Sequence, residues 1–317
     1  VEYKSDSFSS RLDDRVFEAF DYPFVQRALV EVLLLSLAAG TLGTWIVVRG
    51  LAFYSHGVAA AAFPGLVLAD GLGFSATLGA FGVALLFALT VGQLAARGRG
   101  GHDSLTALVL VAALAIGVVL ASDVFHSGAN VETLLFGSLL AVDDADIRLA
   151  IVVAALALLA TWTLGQRWLA VGFDPSAARG LGVRSPAADL VLLVLIALAA
   201  VATLSAVGAL LATALLVVPA ATVRMATRRM LPWQLGTIVL AAAEGTAGLW
   251  LSFETNAPPG ATIAVIAGGI FALVALARSA ATMYTRTRGV AQPLGLRPRV
   301  AFENSPEARS RGGEGAR

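Results

Sequence analysis

GFDPSAARGLGVR, residues 172–184, is a polar interruption between two long apolar runs. Asp174 suits an N-cap, because its short carboxylate can accept from the first free amides of a helix. Pro175 fits the first helical position, and Gly180 or Gly182 can end the turn in a left-handed conformation. The stretch spells a helix of one or two turns. Nucleation costs more than so few hydrogen bonds return, so such a helix needs something to dock against. Local sequence leaves two readings open: a capped surface loop, or a cytoplasmic docking helix that takes force from a partner. The rest of the chain decides between them.

The 317 residues are 58% hydrophobic and only 14% charged, with a mean hydropathy of +0.82. An ordinary soluble domain carries about 25% charged residues, so this is a polytopic membrane protein. The single lysine, Lys4, does not lie in a Gly-Lys-Ser/Thr phosphate loop, and the chain therefore does not hydrolyse ATP by that route. No buried lysine is available for a Schiff base. Without cysteine there is no thiolate metal site, disulfide or thiol catalysis. No n-region plus cleavage-site pattern follows Val1, so no removable signal peptide is expected there.

Three segments are expected: an N-terminal lead-in at 1–24, a membrane domain at 25–280, and a basic tail at 281–317 whose Arg, Gly, Pro and Ser content predicts disorder. In the lead-in, Val16, Phe17, Phe20 and Phe24 fall near helical spacing, which predicts an interfacial helix. A hydrocarbon core about 30 Å thick takes roughly 20 helical residues to cross. On that rule the candidate spans are 28–48, 56–72, 74–96, 104–122, 147–165, 187–204, 207–226, 234–252 and 260–278. The second is short and contains Pro64, so a broken or re-entrant helix buried in protein is expected there, and the count is eight or nine. Alanine and glycine recur at four-residue spacing, which lets helices approach closely in lipid. No clear internal repeat supports an inverted-repeat carrier.

Arginine sets the orientation. Arg97 and Arg99, then Arg167, Arg179 and Arg184, then Arg224, Arg228 and Arg229, and finally the tail all fall on one side, the cytoplasm. The 123–146 loop carries Asp123, Glu132, Asp143, Asp144 and Asp146, and it falls on the other side with Glu254. Residues 172–184 are thereby cytoplasmic. Nine spans put the N-terminus outside; eight change only that end.

Five segments carry a resemblance. They are FVQRALVEVLLLSLAAGTLGTWIVVRGLAFYSHGVAAAAFPGLVLA (24–69), LLFGSLLAVDDADI (134–147), GFDPSAARGLGV (172–183), LLVVPAATVRMAT (215–227) and NAPPGATIAVIAG (256–268). In this order and spacing the chain resembles the membrane-spanning permease subunits of bacterial ABC transporters for manganese, zinc and iron. The resemblance covers about residues 24–280. It implies an all-α, polytopic bundle of eight or nine transmembrane helices in the bacterial cytoplasmic membrane, similar to type II ABC importers, with one short cytoplasmic coupling helix. It also implies a homodimer, a separate cytoplasmic ABC ATPase dimer that binds the ATP, and an extracellular or periplasmic metal-binding protein that delivers the ion. No cofactor of this chain is implied, and the divalent metal ion is the substrate. Carried onto this sequence, the coupling residues are Phe173, Asp174, Pro175, Ala178, Arg179 and Gly182.

A divalent ion crossing lipid needs oxygen or imidazole ligands weak enough to release it. Ionisable residues within spans are costly unless paired or functional. Glu31 is a candidate for the path, or an interfacial glutamate within reach of Arg27. His56 is a candidate ligand or a capping histidine; the family more often has Asp there and His at the position of Ala60. Asp123, His126 and Glu132 suit an ion-attracting vestibule or an ordinary solvated loop, and Asn130 stands where the family often has Asp. Glu244, mid-span among alanine and glycine, should face the protein interior or the path. Asp70 and Asp189 read as interfacial, and His102 as a loop residue. Pro219 predicts a bend in its span. The competing functions are a permease for a metal chelate such as a siderophore or cobalamin, and a stand-alone secondary carrier or channel. An intramembrane hydrolase lacks its His-Glu-x-x-His or Gly-x-Ser-x-Gly constellation.

Overall fold

In a computed structural model, residues 21–98, 101–124, 142–180, 182, 186–204, 207–208 and 212–290 are described. All their regular structure is helical. In chain order the helices are α1 (Pro23–Arg49), α2 (Ala52–Ala61), α3 (Phe63–Leu72), α4 (Ala76–Ala96), α5 (His102–Val119), α6 (Asp144–Phe173), α7 (Pro175–Gly180), α8 (Pro186–Ala202), α9 (Ala212–Ala226), α10 (Met230–Thr255) and α11 (Pro259–Val290). The chain divides into units at residues 276 and 277, within α11. The lead-in 1–20, the outer-loop residues 125–141 and the tail from 291 lie outside the described residues.

α1 is the hub. Pro23 sets its first turn, and Gly50, at φ 65°, ends it with the Leu51 amide bonded to the Ile46 carbonyl at 2.9 Å. Within its apolar window 72% of the helix is buried, against 17% for α5 with its following turn. α5 shows Leu108, Val111 and Ile116 outward, as a lipid-facing helix should. Around α1 pack α10, α6, α9 and α8. Two glycines permit the closest approaches: a Cβ on Gly40 would strike Ile238 of α10, and one on Gly43 would strike the Leu216 carbonyl of α9.

The break anticipated near Pro64 is present. α2 ends at Ala61, α3 begins at Phe63, and the proline lacks the amide that would continue the ladder. Together the two halves are long and apolar enough to cross a membrane, as are α1, α4, α6, α10, α11 and α5 extended by the π turn Leu120–Val124. That makes seven among the described residues. α8 and α9, with 17 and 15 residues, are shorter; at 1.5 Å per residue they reach about 25 and 22 Å. Pro219 sits inside α9. α6, with 30 residues, is about 45 Å long and overreaches a core of about 30 Å.

Two ion pairs mark the ends of α1. Arg27 lies 3.8 Å from Asp144 at the start of α6, and Arg49 lies 3.0 Å from Asp189 near the start of α8. α1 and α6 therefore run parallel, with Trp45 edge-on to Trp168 at 5.5 Å between centroids. α6 opens with a capping box: Asp143 accepts the Ala145 and Asp146 amides at 2.8 and 2.9 Å, and Asp146 accepts the Asp143 amide at 3.1 Å.

Two expectations follow. Gly43→Ala should destabilise the detergent-solubilised protein by about 1–3 kcal/mol, because α1 and α9 must move apart. Gly82→Ala, where a new Cβ meets nothing within 4 Å, should stay within about 0.5 kcal/mol; thermal unfolding compares them. The Asp146 amide, partly offset by burial, and then the Ala145 amide, the Asp146 side chain and Arg148 hold the Asp143 carboxyl below its ordinary value. The stabilisation is whole above the unfolded pKa of about 3.9 and is lost as pH falls through the lower folded value. Asp143→Ala should cost about 1 kcal/mol at neutral pH, and Asp143→Asn should keep most of the cap without its pH dependence; amide exchange at 145 and 146 reads both.

Candidate functional site

The loop that carries the Asp-Pro stretch begins where α6 ends. Asp174 turns extended, at φ −146° and ψ 95°, and its carboxylate accepts the Ala177 amide at 2.9 Å, so the cap read from sequence is made. α7 follows with Pro175 and Arg179 among its six residues, and Gly182 takes φ 68°. Ala178 is buried, whereas Phe173 is 77% exposed, a large apolar side chain at the edge of the bundle. α7 rests on α6. Pairing of an exposed aromatic with a capped one-turn helix leaves a surface able to receive another protein.

A second set of residues lies at membrane depth. Leu216 of α9 is level with Gly43 of α1, so Ala212, the first described residue of α9, lies about 15 Å along the axis from the Arg49 end of α1. There Thr213 Oγ1 stands 3.5 Å from His56 Nδ1 on α2. His56 is half-buried and joins two helices at the level where one of them begins.

The buried carboxylates belong to α1 and α10. These helices run antiparallel: Thr44 meets Gln234 at 3.4 Å, Gly40 faces Ile238, and Val32 faces Gly245. In that register Glu31 and Glu244 come within a turn of each other along the axes. Both are buried, at 0% and 1% exposure, and Arg27, one turn before Glu31, lies 3.8 Å from Asp144. Glu244 lies in the stripe Ala241, Glu244, Gly245, Gly248 and Leu249 that α10 turns inward. Among the described residues neither of its carboxylate oxygens has a hydrogen-bond partner.

Asp123 is exposed on the π turn after α5. His126, Glu132 and Asn130 lie outside the described residues. Among the described residues no three His, Asp or Glu side chains are grouped as a metal-holding cluster. Sequence reasoning passed over Asp189 as interfacial and did not pick out Arg49, Tyr54 or Thr213. Arg49 closes one span and Asp189 lies near the start of another, far along the chain, so no local signal joined the pair.

A sequence-family model described as the ABC 3 transport family matches residues 21–278. The manganese transport system membrane protein MntC of Halalkalibacterium halodurans is 29% identical over 256 residues, spanning 81% of this chain and 88% of that protein. The manganese import system permease protein ScaB of Streptococcus gordonii is 28% identical over 251 residues, 79% of this chain and 90% of that one. Among solved structures, PsaBC from Streptococcus pneumoniae in complex with Fab superimposes with a TM-score of 0.71 at 26% identity, over 82% of this chain and 94% of that chain. The helical, multi-pass architecture and the match over residues 21–278 agree: the chain belongs to the ABC 3 transport family.

Proposed function

We propose that the chain is the membrane-spanning subunit of an ABC importer for a divalent transition-metal ion, manganese, zinc or iron. The observation that carries the reading is the family match, which runs through the docking loop and includes proteins named for manganese transport and import. Two copies of the chain would enclose a path in the bacterial cytoplasmic membrane. A cytoplasmic ABC ATPase dimer supplies the energy, and an external metal-binding protein supplies the ion. This division of labour agrees with a chain whose only lysine is outside any phosphate loop.

In this reading α7 is the coupling helix. Phe173, Asp174, Pro175, Ala178, Arg179 and Gly182 form the surface that the ATPase engages, and the Asp174 cap keeps the short helix formed while force passes through it. The arginines at helix ends support a cytoplasmic position for this face. α8 and α9 leave from that face and return to it, so the N-terminus is external whether they cross fully, giving nine spans, or turn back within the membrane. Residues 1–24 then form an external lead-in, 25–280 the permease domain, and 281–317 a cytoplasmic tail.

The ion path uses His56 and Glu244, with Glu31 behind Glu244. A carboxylate and an imidazole are ligands that manganese, zinc and iron all accept. Asp123, His126 and Glu132 collect cations at the outer mouth. Burial of Glu244 without a hydrogen-bond partner among the described residues supports a group that waits for a cation, since such a carboxylate is costly left alone.

The test is uptake. In vesicles, the complex with its ATPase and binding protein should accumulate manganese, zinc or iron only when ATP is present; uptake indifferent to ATP would remove the reading in favour of a secondary carrier. Glu244→Gln should slow uptake about tenfold, roughly 1.4 kcal/mol in the barrier, with assembly intact. Normal uptake would return Glu244 to a structural role. Asp174→Ala with Arg179→Ala should weaken capture of the ATPase by about tenfold or more, measured by co-purification.

A further inference from the structure

Three polar links from three helices converge on the first turns of α8. Trp168 of α6 donates its indole N–H to the Ala188 carbonyl at 2.8 Å. Arg49, closing α1, meets the Asp189 carboxylate at 3.0 Å, with side chains only 9% and 18% exposed. Tyr54 of α2, fully buried, donates its hydroxyl to the Leu193 carbonyl at 3.0 Å. Helical carbonyls have a second lone pair, so these bonds add to the ladder of α8 without breaking it.

Arg49 touches both limbs of the docking loop. A Cβ on Gly172 would collide with Val48 and approach Arg49 Cδ at 3.3 Å, so the last turn of α6 lies on the arginine stem. The head of the same side chain holds α8, where the loop ends. α4 packs closely on α8, where a Cβ on Gly92 would strike Leu190, and a cavity of about 230 Å³ lined by Ala96, His102, Pro186 and Asp189 lies beside that contact. Asp189 thus borders a cavity as well as its ion pair with Arg49. Tyr54, two residues before His56, carries any shift of α8 into α2, where His56 faces Thr213. Rigid helices joined by a few polar links transmit displacement between two arrangements.

We infer that Arg49 and Asp189 are positioning residues: their ion pair is the link through which displacement of the docking loop reaches His56. The inference rests on the proposed importer function. Its test is metal delivered per ATP hydrolysed by the reconstituted complex, compared for wild type, Arg49→Gln, Asp189→Asn and the exchange variant Arg49→Asp with Asp189→Arg. Each single variant should still bind the ATPase and hydrolyse ATP within about twofold of wild type while delivering about tenfold less metal per ATP, and the exchange variant should recover most of the ratio, as a pairwise interaction requires. An unchanged ratio in the single variants overturns the inference. So does loss of ATPase binding, which makes the pair structural, and so does a failure of the assembled exchange variant to recover, which makes each residue act alone. A wild-type complex that moves metal without ATP would sink the importer reading and this inference with it, whereas normal coupling in the variants sinks only the inference.

Discussion

Close approach of α1 to its neighbours is the constraint on which the rest of the structure depends. In lipid, water does not drive helices together, and their association relies on backbone proximity and van der Waals contact. Gly40 and Gly43 provide that proximity by letting α10 and α9 come against the α1 backbone. With both neighbours held, the antiparallel register of α1 and α10 follows, and that register brings Glu31 and Glu244 to one level. The same contact at Gly43 fixes how high α9 starts, and so the level at which Thr213 meets His56.

A second device locks helices that glycine alone would let slide. Trp168, Trp233, Tyr54 and Thr262 each donate across a helix boundary to a main-chain carbonyl, of Ala188, Ala220, Leu193 and Gly248 respectively. An indole or phenol buried in an apolar bundle needs an acceptor. A carbonyl of a neighbouring helix is one that no substitution removes. These bonds set axial positions without demanding a matching side chain, which suits a protein whose helices must move as units.

Much of this was legible in the residues. Asp174, Pro175 and the following glycines spelled a one-turn capped helix because capping is a local matter of a few amides. Pro64 spelled the break between α2 and α3 for the same reason. The long apolar runs spelled spans, since length and composition suffice to cross lipid. The full burial of Glu31 was not legible, because it depends on which helices pack against α1, and neither was the approach of Arg27 to Asp144 across a long sequence interval. Asp189 was passed over because its partner, Arg49, lies far away in the chain and the pair exists only when α1 and α8 meet. The expected span 187–204 agrees with α8, Pro186–Ala202, to within two residues.

By itself, then, the sequence determined a membrane-spanning chain, helical among the described residues, without a nucleotide site of the phosphate-loop kind, and a capped short helix between two apolar runs. These depend on composition, span length and capping, all of which act within about a turn or along one helix. Only the tertiary structure decided which ionisable residues are buried, which pairs they form, and that Thr213 of α9 stands beside His56. Those outcomes depend on where two helices touch, and in a chain rich in alanine and glycine many contact registers share the same pattern. Backbone approach at Gly40, Gly43 and Gly245 selects one of them.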